Sequence, residues 1–183
     1  MSDIPAPDGS SPKRQRFGSP PPMIIDPQRR YSATIETSKG TIVAELDAAG
    51  APATVNNFVF LARWHYFDGI VFHRIIPGFV IQGGDPEGTG RGGPGYRFAD
   101  ELPKPGRYQV GSLAMANSGP NTNGSQFFIV SGPDGVRLPP QYSLFGSVVR
   151  GGDVVEAIDA VGSPSGAPTE QVVIESVSIA EHE

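Results

Sequence analysis

One arginine and two glutamines are the polar groups best placed to do chemistry in this chain. Arg74 and Gln82 lie in the segment Phe72–Asp85, which is otherwise rich in apolar residues and glycine. Gln126 lies in a second segment, Met115–Phe128, which ends in two phenylalanines. These side chains supply a planar, charged hydrogen-bond donor, amide groups and apolar surface. Few other titratable side chains lie nearby, so a fixed hydrogen-bond donor beside apolar surface is the chemistry that these segments offer.

Other kinds of active site find little support in the composition. The chain has no cysteine, which excludes thiolate zinc sites and cysteine catalysis. His65, His73 and His182 show no metal-binding spacing, so we expect no metal and no cofactor. The run Gly88–Gly93 fits the pattern GxGxxG, but Pro94 forbids the helix that a dinucleotide site requires.

Both segments resemble the corresponding motifs of the cyclophilins, a family of peptidyl-prolyl cis-trans isomerases. The resemblance extends over roughly Tyr31 to Ala180 and is closest to single-domain, bacterial-type members. It implies an enzyme that accelerates rotation about Xaa-Pro bonds in peptides and unfolded proteins. It also implies that no cofactor is needed and that the protein is a monomer.

The resemblance assigns a role to each residue of the site. Arg74 would donate the catalytic hydrogen bond, and Gln82 would both orient Arg74 and contact the substrate. Asn117 would pair with the peptide through its backbone, as an added strand does. The remaining substrate-binding residues implied are Phe79, Val80, Phe128, Leu138 and Tyr142 around the proline ring, and Gln126, Ala116 and Ser118 in the groove beside it.

Four positions depart from the pattern common in the family. Val80 stands where methionine is frequent, Ser118 where alanine is usual, and Tyr142 where many relatives have histidine. Arg137 stands where many eukaryotic members have a tryptophan that contacts the drug cyclosporin. We therefore expect isomerase activity to be retained and cyclosporin to bind weakly.

The hydrophobic pattern from Tyr31 onward is mainly β. Alternating apolar residues on both sides of Ser38–Gly40 predict a hairpin, and several further short apolar runs are separated by Gly, Pro and Asn. One helix is predicted with Pro52 near its first turn, and a second over Asp153–Val161, with Asp153 as N-cap. The pattern alone leaves a barrel and a sandwich open. The resemblance implies a closed eight-stranded antiparallel barrel capped by two α-helices.

The first 30 residues differ in composition from the domain, which we assign to residues 31–181. They contain seven prolines and few large apolar side chains, so we expect a disordered segment in which Met23–Ile25 can attach to the domain. They also contain a small basic cluster, Lys13–Arg16, which is more typical of a solvated linker than of a nucleic-acid patch.

The formal net charge of -5 argues against a dedicated nucleic-acid partner. No apolar run is long enough to span a membrane and no signal-peptide pattern is present, so we expect a cytoplasmic protein without a membrane partner. A different class of function also fits the motifs, namely a module that binds proline-containing segments without turnover. An arginine directed at the imide nitrogen would distinguish the enzyme from that module.

Overall fold

A computed structural model of the chain describes residues 4–183, and its main feature is an antiparallel β-sheet of eight strands. The strands are β1 (Arg30–Thr37), β2 (Gly40–Leu46), β3 (Arg74–Ile76), β4 (Val80–Gly83), β5 (Ser112–Met115), β6 (Phe127–Val130), β7 (Leu144–Arg150) and β8 (Ile174–His182). The helices are α1 (Pro52–Arg63), α2 (Pro133–Val136) and α3 (Gly152–Asp159).

The sheet curls so that its two outer strands approach one another. The strand order is β3-β4-β6-β5-β7-β2-β1-β8, and every pairing is antiparallel. The segment before β3 meets the start of β8 through an isolated bridge between Val71 and Val173, and Phe72 N–H donates to Val172 O at 2.9 Å. The eight-stranded antiparallel architecture is confirmed, and its closure rests on this bridge instead of a continuous ladder.

The centre of the sheet separates two apolar clusters because side chains alternate between the faces of a strand. In β6, Phe127 and Ile129 belong to the large interior core, whereas Phe128 and Val130 belong to a smaller cluster on the outer face. All four residues are buried, because both faces of β6 are covered. A strand buried on both sides thus joins the core to the outer surface, where the pocket described below is formed.

Helix α1 packs one end of the interior and has no polar face exposed to water. Phe58 contacts the rings of Phe67, Phe127 and Phe145, with centroids 5.0–5.4 Å apart. The residue before the helix, Ala51, offers no capping side chain. Glu101 caps the helix instead, by accepting hydrogen bonds from the backbone N–H of Thr54 at 2.7 Å and of Ala53 at 3.2 Å.

Two details of the helices differ from the sequence-based expectations. Helix α3 is capped by Gly151 in the left-handed region, so Asp153 lies in the first turn and is not the N-cap. The single turn α2 was not anticipated, because four residues beginning with Pro133 are too few for a periodic pattern. Within residues 4–183, every helix is too short or too polar to cross a membrane.

The N-terminal segment packs along the domain over residues 4–30, which differs from the expectation of a disordered tail. Phe17 is buried against Phe60, Trp64 and Tyr96, with the Phe60 ring centroid at 5.1 Å. Further along, the side-chain oxygen of Asn56 accepts the backbone N–H groups of Ile24 and Ile25. We call residues 5–25 the strap.

The strap orders because it shares the core of the domain. The compositional argument considered only the surface that the segment could bury by itself. Phe17 and Ile25 instead join the interior cluster, and Asn56 on α1 supplies the partners for the strap backbone. A buried asparagine on the outer side of α1 is therefore explained by the segment that covers it.

We expect Phe17→Ala to release the middle of the strap. Removing the Phe17 ring exposes Trp64 to water, so tryptophan emission should shift to longer wavelength. The free energy of unfolding should fall by about 1–3 kcal/mol, because the strap can detach before the rest of the domain unfolds. Trp64 is the only tryptophan, so fluorescence during urea unfolding reports both quantities. Met23→Ala, in an exposed part of the same strap, is the control. Emission identical to that of the unmodified protein would contradict this packing.

Candidate active site

A pocket of about 200 Å³ lies on the outer face of the sheet, over β4 and β6. Nine of the residues expected to bind substrate or catalyse line it: Arg74, Phe79, Val80, Gln82, Ala116, Asn117, Phe128, Leu138 and Tyr142. The other two, Ser118 and Gln126, line a larger cleft that adjoins the pocket. The structure therefore brings together all the residues that the sequence singled out, although they come from five separate segments.

The apolar wall of the pocket is built from packed aromatic rings. Phe128 and Tyr142 meet edge to face, with ring centroids 5.5 Å apart and planes at 83°. Tyr108 lies behind them, is 2% exposed, and donates from its hydroxyl to Tyr142 O at 2.6 Å. Val80 completes this cluster. The tyrosine that stands in place of histidine thus serves as a wall of the pocket, and Tyr108 fixes its backbone.

Arg74 is held at the edge of the pocket by strand pairing. Arg74 and Gln82 are directly opposite in the ladder of β3 and β4, so their side chains lie on the same face. Nη1 of Arg74 donates to Oε1 of Gln82 at 3.3 Å, and Nε2 of Gln82 donates to Oε1 of Gln126 at 3.2 Å. The chain of amides continues to Gly92 O, 3.0 Å from Nε2 of Gln126.

The guanidinium of Arg74 has no ion-pair partner among the described residues. Within residues 4–183, no carboxylate lies within 4.0 Å of its guanidinium. The aliphatic part of Arg74 packs on Gly166, where an added Cβ would lie only 3.0 Å from Cγ of Arg74. Gly166 also accepts the backbone N–H of Ile75 at 2.9 Å. An oriented guanidinium with its charge available is therefore exposed beside an apolar cavity.

Phe79 and Leu138 reach the pocket because two glycines let separate loops pack closely. An added Cβ on Gly132 would lie 2.3 Å from Cα of Gly78, and one on Gly135 would lie 2.5 Å from Phe79 O. Through these contacts α2 packs against the turn between β3 and β4, and Leu138, which follows α2, reaches the pocket. The segment around α2, which carries Arg137 where many eukaryotic members have tryptophan, thus still supplies Leu138 as an apolar wall of the pocket.

The turn that carries Phe79 has a support that the sequence did not reveal. Oδ1 of Asp159, at the end of α3, accepts the backbone N–H of Gly78 at 2.9 Å and the hydroxyl of Ser131 at 2.6 Å. Asp159 lies 81 residues from Gly78. No local pattern connects these positions, so only the folded chain identifies this support.

Asn117 lines the pocket, and its side chain and backbone are used differently. Its side chain is used internally: Nδ2 donates to Gln141 O at 2.9 Å, and Oδ1 accepts the N–H of Gly119 at 3.1 Å. Among the residues that the structure describes, neither the backbone N–H nor the backbone C=O of Asn117 has a hydrogen-bond partner. These groups are oriented by the fixed side chain and are free to pair with an extended peptide.

The glycine-rich loop of residues 88–95 borders the adjoining cleft and is organised by Asp85. This carboxylate is 1% exposed and accepts the backbone N–H groups of Glu87 at 2.8 Å, Thr89 at 2.9 Å and Gly90 at 2.6 Å. Burial by itself would raise the pKa of Asp85, but these amides and that of Gly92 hold the pKa below its ordinary value. The GxGxxG run is thus a loop built around one internal anion.

His73 has no part in proton transfer at the pocket. It is absent from the pocket lining, and its pKa is lowered chiefly by burial. The charge of Asp85 opposes this shift but does not overcome it, and the charge of Arg74 adds a smaller lowering effect. The ring is therefore neutral at pH 7. In the described part of the chain, no group of three or more His, Cys, Asp or Glu residues could hold a metal ion.

Comparison with known proteins identifies relatives of this arrangement. Residues 32–179 match the family model described as cyclophilin type peptidyl-prolyl cis-trans isomerase/CLD. Peptidyl-prolyl cis-trans isomerase A of Mycobacterium tuberculosis is 45% identical over 172 residues, covering 84% of this chain and 94% of that protein. Peptidyl-prolyl cis-trans isomerase B of Streptomyces anulatus is 47% identical over 167 residues, covering 80% and 95%.

Solved structures show the same fold. A cyclophilin type peptidyl-prolyl cis-trans isomerase of Cryptosporidium parvum superposes with a TM-score of 0.76 at 33% identity, covering 84% of this chain and 99% of that one. The same protein, crystallised in the presence of the dipeptide Ala-Pro, gives a TM-score of 0.76 at 35% identity, covering 81% and 98%.

We expect Asp85→Asn to destabilise the protein in a pH-dependent way. The pKa of an Asp in the unfolded chain is about 3.9, and the pKa of Asp85 in the folded protein is lower. The ionised carboxylate therefore contributes its full share to the free energy of unfolding above about pH 5, and this contribution is lost as the pH falls through the folded pKa. The variant amide repels some of the loop N–H groups and should cost about 1–3 kcal/mol at pH 7.

Urea unfolding from pH 7 down to pH 3 measures this effect. The difference between the variant and the unmodified protein should narrow below about pH 4, where Asp85 loses its advantage. Glu175→Gln, at an exposed carboxyl on β8, is the control. A difference that stays constant over this range would contradict the role assigned to the Asp85 charge.

Proposed function

The chain belongs to the cyclophilin-type peptidyl-prolyl cis-trans isomerases, and we propose that Arg74 and the apolar pocket beside it are the catalytic centre. Peptidyl-prolyl cis-trans isomerisation is the activity of this chain, which binds Xaa-Pro peptides. The observation that carries the proposal is the position of Arg74. Arg74 lines the same cavity as Phe79 and Phe128, and no carboxylate of residues 4–183 forms an ion pair with it.

The reaction must break the resonance of an imide bond. Its barrier is about 18–20 kcal/mol, and the uncatalysed step takes roughly 10–100 s. In the twisted state the proline nitrogen becomes pyramidal and gains a lone pair, which the planar ground state does not offer. A donor beside that nitrogen binds the transition state more tightly than the substrate, and this lowers the barrier.

Arg74 supplies this donor. One charged, oriented donor contributes about 3–4 kcal/mol to a transition state in comparable sites. A turnover on the order of 10³ s⁻¹ needs about five decades of acceleration, or roughly 7 kcal/mol. The remainder comes from holding the ring in one orientation. The hydrogen bond to Gln82 places the guanidinium, and its planar fork makes lysine a poor replacement.

The proline ring occupies the apolar part of the pocket. Phe79, Phe128 and Leu138 surround the ring, and the edge-to-face contact between Phe128 and Tyr142 keeps this wall from collapsing. The preceding carbonyl can rotate toward solvent because the pocket is open on that side of the sheet. The backbone of Asn117 pairs with the peptide, which fixes the chain while the imide bond turns.

Exposed Xaa-Pro segments of unfolded proteins are the substrates we propose, with the protein acting as a monomer. The pocket lies on the outer wall, so a long chain can cross it without threading through the structure. A module that only binds such segments is the second candidate. A module that only binds has less need of an arginine that lacks an ion-pair partner and is held by a chain of amides. The arrangement of Arg74, Gln82 and Gln126 therefore favours the enzyme.

We expect Arg74→Ala to lower kcat/KM on a proline-containing peptide by about two to three decades, the effect of losing one transition-state donor. Arg74→Lys should recover little of the activity. Exchange NMR on a short Xaa-Pro peptide measures the rate without an auxiliary protease. Arg150→Ala, an exposed arginine on β7 outside the pocket, is the matched control. Unchanged turnover in Arg74→Ala with retained fold would refute the assignment.

We expect cyclosporin to bind weakly, because Arg137 occupies the position where many relatives have tryptophan. Arg137 ends α2, is exposed and is absent from the pocket lining, so its replacement leaves the proline pocket intact. Calorimetry should give an affinity weaker than nanomolar, and Arg137→Trp should tighten it without loss of isomerase activity. Nanomolar binding by the unmodified protein would contradict this prediction.

A further inference from the structure

A second cleft, of about 680 Å³, adjoins the proline pocket. Gln82, Ala116 and Asn117 line both cavities, so the two are continuous along the groove. A peptide whose proline occupies the first pocket therefore places a side chain from a neighbouring residue in or beside the second cleft. The chemistry of that cleft determines which sequences around the proline are favoured.

The charged side chains that line this cleft are three arginines, Arg16, Arg91 and Arg97, and one acid, Glu87. In the described residues 4–183, none of the three guanidinium groups lies within 4.0 Å of a carboxylate or makes a side-chain hydrogen bond. The cleft is thus locally positive on a chain whose formal net charge is -5.

The nearby negative groups do not cancel this excess. Asp85 lies behind the glycine-rich loop, and its carboxylate is occupied by the N–H groups of that loop. Glu87 makes no ion pair with the arginines within 4.0 Å in the part of the chain that the structure describes. Two net positive charges therefore remain available to a ligand in the cleft.

Arg16 comes from the strap, and its neighbours fix its position. The next residue, Phe17, is buried among Phe60, Trp64 and Tyr96, and its N–H donates to Pro94 O at 2.9 Å. The contact with the glycine-rich loop is so close that an added Cβ on Gly95 would lie 2.5 Å from Phe17 O. The strap is thus attached to the loop that borders the cleft, and it carries an arginine into the cleft wall.

We propose that this cleft selects Xaa-Pro substrates that carry an acidic side chain close to the proline, and that Arg16 on the strap contributes to the selection. The inference rests on the proposed function and adds a specificity determinant to it. Arg16 is outside the catalytic pocket and acts through its charge on the bound peptide. An anionic side chain gains attraction from Arg16, Arg91 and Arg97, whereas its neutral analogue does not.

The test compares kcat/KM for matched peptides that carry Glu or Gln at each of the three positions before and the two after the proline. At one of these positions kcat/KM for the Glu peptide should exceed that for the Gln peptide about 3- to 10-fold at low ionic strength. This is the effect expected from two or three exposed charge pairs acting together. The preference should fall as salt is added, because exposed pairs are screened.

The strap is tested by charge removal and charge reversal at one position. Arg16→Ala should lower the ratio of the Glu to the Gln rate, and Arg16→Glu should lower it further, while Arg150→Ala should leave the ratio unchanged. Because Arg16 is exposed, both variants should keep the Trp64 emission of the unmodified protein, which shows that the strap is still in place.

The outcomes separate this inference from the proposed function. If both peptides are turned over and the ratio of their kcat/KM values is near one at every position, the inference is wrong and the proposed isomerase function still stands. A preference that Arg16→Glu does not alter would overturn the role of the strap. Turnover of neither peptide would instead contradict the proposed function.

Discussion

The alternation of side chains along β6 is the constraint on which the site depends. Phe127 points into the core and Phe128 points outward, because successive residues of a strand face opposite sides of the sheet. The interior is filled by aromatic rings from α1 and the strands, which leaves no room there for a ligand. A binding pocket must therefore form on the outer wall, and the outward residues of β4 and β6 form it.

The polar part of the site depends on the same strands. Pairing of β3 with β4 places Arg74 beside Gln82, and Gln126 immediately before β6 extends the contact to the glycine-rich loop. That loop is organised in turn by Asp85, which lies two residues after β4. The donor, the groove and its border therefore form one hydrogen-bonded unit, in which a register shift of one residue would turn each side chain to the wrong face.

The strap extends this organisation beyond the sheet. It covers the outer side of α1, satisfies Asn56 and inserts Phe17 beside Trp64, so it contributes to the core of the domain. It also contacts the loop that borders the cleft through Pro94. A segment that lacks regular secondary structure thereby links the packing of α1 to the electrostatics of the substrate groove.

The sequence by itself predicted the first hairpin and the first helix, and its resemblance to the cyclophilins implied the eight-stranded sheet and the residues around the proline ring. These properties follow from short-range periodicity and from motifs whose order along the chain is sufficient to identify them. Only the tertiary structure decided how Glu101 caps α1, how Asp159 supports Gly78, and where Arg16 lies. Each of these contacts joins segments far apart in the chain, and such a contact leaves no periodic trace in either segment. The strap shows the same limit, because its order depends on surface that the domain supplies.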